Sequence, residues 1–199
     1  MVLTRSSYSR RLVRGTTPRR LIRGTTLIAL VAGLTTAIPL RPAVASTGVR
    51  ALFPPAGAYP RHTHLQPAIT DTHLDALVDP ATARQVARYG FVTGGVQVAA
   101  LPAGGSVTVT ILAVRTPHNA ATFLRVYHPS ALAHPATSGV AVTGLGAGTR
   151  YVTGQCANCT QPTPLGILLV RRGTAVVEID VQPPNRALVM RLGRAIAPR

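Results

Sequence analysis

Two cysteines stand three residues apart in Cys156-Ala157-Asn158-Cys159, and they are the only two in the chain. A pair at this spacing supports a disulfide, thiol–disulfide exchange, or half of a metal site. Exchange needs a thiolate stabilised by a helix N-terminus or by cationic neighbours. Gly154 precedes the pair and Pro162 and Pro164 follow it, so a helix starting at Cys159 is disfavoured. A structural zinc needs two further ligands, and without a second Cys pair they would have to be His. A structural disulfide between Cys156 and Cys159 is therefore the expected reading, with redox activity, metal binding and free thiols as its alternatives. A loop so short stabilises by on the order of 2 kcal/mol in the chain-entropy description, which staples a hairpin end and not a whole fold.

Six His are available: His62, His64, His73, His118, His128 and His134. His62-x-His64 presents two imidazoles on one side of an extended strand, with His73 close in sequence, a pattern that binds transition metals weakly. The segment is rich in proline and offers no scaffold, so solvated side chains are expected, and His62 and His64 remain the metal candidates. Asp71, Asp75 and Asp79 recur every four residues. They lack the alternating spacing and the glycine of a calcium loop, and capping is the better use for Asp79 and Asp71. Gly104-Gly105-Ser106-Val107-Thr108 lacks the last glycine of a nucleophile elbow. Gly144-x-Gly146-x-Gly148 has neither dinucleotide nor Walker spacing, and no cofactor is implied. Glu178 and Asp180 alternate on a strand and are expected to face water. With five acids in all and no evident convergence with His, acid–base catalysis has little to work with.

The elements that would carry these residues follow from the hydrophobic period. Asp79-Pro80 opens a short helix that Gly90 stops. Phe91–Ala100 and Val107–Val114 read as strands joined by Pro102-Ala103-Gly104-Gly105. Thr116-Pro117 starts a helix whose stripe is Ala120, Phe123, Leu124 and Tyr127, and Pro129 ends it. Val140–Val142 and Thr149–Thr153 are short strand candidates. Gly166–Arg171 and Thr174–Val181 make a hairpin with Val177, Ile179 and Val181 turned to a core. A terminal helix follows, with Leu188, Val189, Leu192 and Ile196 on one side and Arg186, Arg191 and Arg194 on the other. The order is β-β-α-β-β-α, an α+β class: a single antiparallel sheet with two main helices packed on one face.

The chain divides into three parts. Residues 1–24 hold seven Arg and no acid, 25–38 are uncharged and mostly apolar, and Ala43-Val44-Ala45 is a small-x-small site. These are the parts of a secretory signal peptide, so 1–45 is expected to be removed by cleavage after Ala45. An uncleaved anchor over 24–40 is the rival, opposed by Pro39 and the Ala-x-Ala site. Arg10-Arg11 and Arg19-Arg20 leave both the general and the twin-arginine export routes open. Residues 46–69, with Pro54, Pro55, Pro60 and Pro67, read as a flexible arm, and 70–199 as the α+β domain.

All 21 basic residues are Arg, and the formal net charge is +16. Removal of 1–45 takes away eight Arg and no acid and leaves +8, so half the charge belongs to targeting. The remainder favours anionic surroundings, but residues 46–199 hold no basic run with interleaved aromatics, and a nucleic-acid partner is not expected. A chain of 154 residues buries about 70% of its unfolded surface, which suffices for one core.

The run Val170-Arg171-Arg172-Gly173-Thr174-Ala175-Val176-Val177-Glu178 resembles a strand pair of small exported actinobacterial α+β domains, and Val142-Thr143-Gly144-Leu145-Gly146 and the closing helix are similar too. Those domains include PsbP-like lipoproteins and the extracellular sensor domains of mycobacterial receptor kinases. The resemblance spans about residues 75–199, is one of layout without an active-site motif, and implies a non-catalytic, envelope-facing role. The lipid-anchor Cys many of them carry is absent here. The expectation is an exported, non-enzymatic binding or sensor-like domain whose partner is an envelope component or small ligand, with membrane contact only through an uncleaved N-terminus. An exported thiol–disulfide or metal-handling protein using Cys156 and Cys159 is the alternative.

Overall fold

The computed structural model describes residues 48–132, 139–157, 159, 161 and 163–196. The expected signal peptide, its cleavage site and His134 lie outside the described residues. Among them no helix is long and apolar enough to cross a membrane.

Strands β1 (His64–Leu65), β2 (Ile69–Asp71), β3 (Phe91–Ala100), β4 (Ser106–Val114), β5 (Val140–Ala141), β6 (Arg150–Gln155), β7 (Pro164–Arg172) and β8 (Ala175–Gln182) form one sheet. Its order is β1-β3-β4-β8-β7-β6-β5, with β2 also on β3, and every pairing is antiparallel. The α+β class with a single antiparallel sheet is thus present. Helices α1 (Pro80–Ala87), α2 (Pro117–Val126) and α3 (Arg186–Ala195) begin where their caps predict. Asp79 accepts from the amides of Ala81 and Thr82, Thr116 from Asn119, and Asn185 from Leu188.

The helices do not share a face, and β7 shows why. Its run Leu165–Val170 is buried at every position, so both of its faces are covered. Leu168 and Val170 join Val109, Ile111, Val177 and Ile179 under Leu188, Val189, Leu192 and Ile196 of α3. Ile167 and Leu169 join Leu112 and Val176 under Ala120, Phe123, Leu124 and Tyr127, with Val86 of α1 alongside. The expected placement of both main helices on one face is therefore corrected: α2 and α3 sandwich the sheet. The apolar stripes were rightly read, but a stripe states only that a helix is covered and not which face covers it.

The stretch expected as a loose arm is, from Gly48 onward, laid against the sheet. Val49, Ala58 and Tyr59 are buried in the α3-side core, and the Tyr59 hydroxyl donates to Gln97 Oε1 at 3.2 Å. Its prolines break periodicity without preventing packing, because a covering segment needs only a few anchors and no regular element.

Candidate functional site

On the α3 side, at the end of the sheet where β3 begins and β4 ends, the segment around Gly48–Leu52 leaves a cleft of about 390 Å³. Its apolar walls are Val49, Leu52, Val92, Ala113, Val114 and Ala175, and its polar groups are Thr93, Thr174, Arg115 and Arg172. The volume falls in the lower part of the range of small-molecule pockets, and apolar walls with few polar groups are the usual composition of one.

Arg172 follows Leu168 and Val170 on the α3 face of β7, and the strand period carries its side chain into the core side, where it is only 9% exposed. Its Nη1 donates to the carbonyls of Leu145 at 2.7 Å and Arg171 at 3.0 Å, and Nη2 donates to Gly193 O at 3.0 Å, in the last turn of α3. That carbonyl is at the negative end of the helix, where a cation is favoured. Nε has no acceptor among the described residues. Arg115 is exposed, and its stem crosses Gly90, where a β-carbon would stand 3.0 Å from Arg115 Cδ. The one ion pair among the described residues joins His73 to Asp71, so neither guanidinium of the cleft has a carboxylate partner there.

A second constellation lies under α2 on the opposite face. Glu178 and Asp180, expected to face water, are instead turned to the second core. Glu178 is 5% exposed, and Asp180 buries its Oδ1 without a hydrogen-bond partner among the described residues. Thr110 stands opposite Glu178 and Thr108 opposite Asp180 on β4, with Leu169 and Ile167 opposite them on β7. The Tyr127 hydroxyl donates to Glu178 Oε2. Burial raises the pKa of both carboxyls, and the Glu178 charge raises Asp180 further, well above the carboxylate range. Burial, and then Glu178, push Tyr127 well above a phenol's usual value. Two carboxyls so placed titrate as a pair, which holds a proton to higher pH than a free carboxyl does. Nearby, Asp79 accepts from Ser130, whose hydroxyl in turn accepts from Thr82 at 3.0 Å. Partial burial opposes its ionisation, but the hydrogen bonds from Ser130, Thr82 and Ala81 prevail and hold Asp79 at about 2.

The cysteines are bonded, Cys156 to Cys159, in the loop after β6. Cys156 bridges to Leu132, and the Gln182 amide approaches Cys159 Sγ at 3.9 Å, so the loop is tied to the α2 side. His62 is exposed with φ 62°, His64 is exposed on β1, and His73 pairs with Asp71 at 2.9 Å. Among the described residues no three His, Cys, Asp or Glu are placed to hold a metal. Arg172 and Arg115 were not singled out by the sequence, and Glu178 and Asp180 only as an acid pair expected to face water. Arg172 stands one residue before Gly173 in the β7–β8 turn, whose φ of 57° suits glycine, and reads there as ordinary turn charge.

No protein-family model matches the chain, and no curated protein matches it. Among solved structures it is similar to the extracellular domain of PknH from Mycobacterium tuberculosis, with a TM-score of 0.54 and 9% identity over 76% of this chain and 94% of that one. The likeness at that identity is one of fold: the sheet and helices described above have the architecture of a receptor kinase's extracellular domain, the kind of domain that the 170–178 strand pair resembles.

Proposed function

We propose that this chain is exported and acts, without enzymatic activity, as a binding or sensor-like domain at the cell envelope or outside the cell, and that its ligand enters the cleft beside Arg172. The cleft is the observation that carries the reading: a concave, mainly apolar site with two cations and no carboxylate among its lining residues. The fold, that of an extracellular domain, supports the location, as does the Cys156–Cys159 bond, since disulfides persist in oxidising compartments. The basic, apolar and Ala-x-Ala segments of residues 1–45 support export by cleavage after Ala45.

The test has two arms. Native protein from cells expressing the full chain is sequenced from its N-terminus, with Ser46 expected first, outside the cytosol. The same material is then screened by NMR against small amphiphiles, with shifts expected at Val92, Thr93, Thr174 and Ala175. Recovery of the protein in the cytosol starting at Met1, or turnover of a thiol or ester substrate that a single substitution abolishes, would overturn the proposal.

A further inference from the structure

We infer that the cleft is built for a monocarboxylate with an apolar body, a medium-chain acid of about eight carbons. The inference rests on the reading of the cleft as the ligand site and goes on to name the chemistry that fits it. Three observations point the same way.

The first is charge. Arg172 carries a permanent positive charge into a largely buried position and meets carbonyl dipoles there instead of a carboxylate. Carbonyls hold a guanidinium in place but do not cancel its charge, and in a site of lowered dielectric the residual field acts on whatever enters. Arg115 adds a second guanidinium, exposed and laid across Gly90. No acid lines the cleft, so an anion meets attraction without an opposing group, and a cation meets the reverse.

The second is the remaining wall. Val49, Leu52, Ala113 and Ala175 give a methyl-lined floor. Such a floor contributes binding only where the ligand has apolar surface to bury, and a bare inorganic anion has none. The third is size: about 390 Å³ is too small for a full phospholipid or a polymer segment and ample for a single short chain with its headgroup.

The probes are octanoate, its neutral twin octanol, and acetate, titrated by calorimetry and by amide shifts of labelled protein from cells expressing the full chain. Octanoate is expected to bind at least about tenfold more tightly than either of the others, the loss expected for one charge-assisted hydrogen bond. Arg115→Gln and Val92→Glu both alter exposed side chains and leave the core intact. Each is expected to narrow the margin of octanoate over octanol severalfold, with Arg172 retaining the rest of the attraction. Octanoate and octanol binding alike at the cleft residues would overturn the carboxylate class while leaving the cleft as a ligand site. Acetate binding as tightly as octanoate would overturn the apolar body. Failure of all three probes to move the cleft residues would overturn this inference; if a broader set of charged and neutral amphiphiles failed as well, the ligand-site reading would fall with it.

Discussion

At the scale of single residues, the buried carboxyl pair on β8 decides how the protein responds to pH. Glu178 and Asp180 have folded pKa values raised by burial, so the stability linked to them is fully present below the unfolded value near 4 and is lost as pH rises through the folded values. Asp79 has the opposite sign. Its folded value of about 2 means that its contribution is present above the unfolded value and is lost as pH falls toward 2. Chemical denaturation across pH 2–8 is therefore expected to show a maximum near pH 4, with Asp79→Ala shrinking the acid limb, to which Asp71, lowered by its hydrogen bonds with His73, still contributes. Asp180→Asn keeps the shape and removes the need to hold a proton. It is expected to stabilise the protein at pH 7 and to flatten the limb above pH 4. Tyr127→Phe leaves Glu178 without its donor and is expected to cost about 1–3 kcal/mol in the same measurement. None of this was legible from β8 alone. Val177, Ile179 and Val181 alternate with Glu178 and Asp180, and that pattern ordinarily means one face in a core and one in water. The contrary signal was the unbroken apolar run of β7, which implies cover on both faces of its neighbour as well.

At the scale of elements, what the sequence stated well was local. Asp79-Pro80 and Thr116-Pro117 mark helix starts because a cap is a contact between residues two or three apart, and each is made. What it stated poorly was which element crosses which. The Gly94-Gly95 pair in β3 shows the difference. In a strand interior two glycines look like weakness, yet both are buried and they let two crossings happen at once. A β-carbon on Gly95 would stand 2.9 Å from Ile69 O and 3.0 Å from Phe53 Cζ; one on Gly94 would stand 2.6 Å from Ile111 O and 2.9 Å from Leu77 Cδ1. The segment before β1 and the turn before α1 thus approach β3 more closely than side chains allow. Gly94→Ala forces a backbone atom to move and is expected to cost about 1–3 kcal/mol, although alanine is ordinarily the better strand residue. An unchanged or raised unfolding midpoint for that variant would show that the turn at Leu74–Leu77 does not depend on the close approach.

At the scale of the whole molecule, the arrangement of charge differs from its sum. Composition counts five acids against the Arg, as if all were alike. The fold withdraws Glu178 and Asp180 into the α2 side and commits Asp79 to capping, which leaves Asp71 and Asp75 as the acids outside such roles, against exposed Arg on α3 and at both ends of the sheet. The surface that a partner meets is therefore more basic than the composition implies, and an anionic ligand is drawn toward the cleft from a distance. This can be measured without knowing the ligand. If Asp180 keeps its proton at pH 7, replacing it by Asn alters no charge, whereas Asp75→Asn, on an exposed residue, adds one. Capillary electrophoresis at pH 7 and low ionic strength is expected to show Asp180→Asn migrating with the wild type and Asp75→Asn one charge step ahead, with the two variants converging as the protein is unfolded in urea, where Asp180 ionises like any other aspartate. An Asp180→Asn protein that runs one step ahead while folded would place a full carboxylate at that position, and the proton held by the pair, the pH optimum of stability and the excess of surface charge would all have to be given up together.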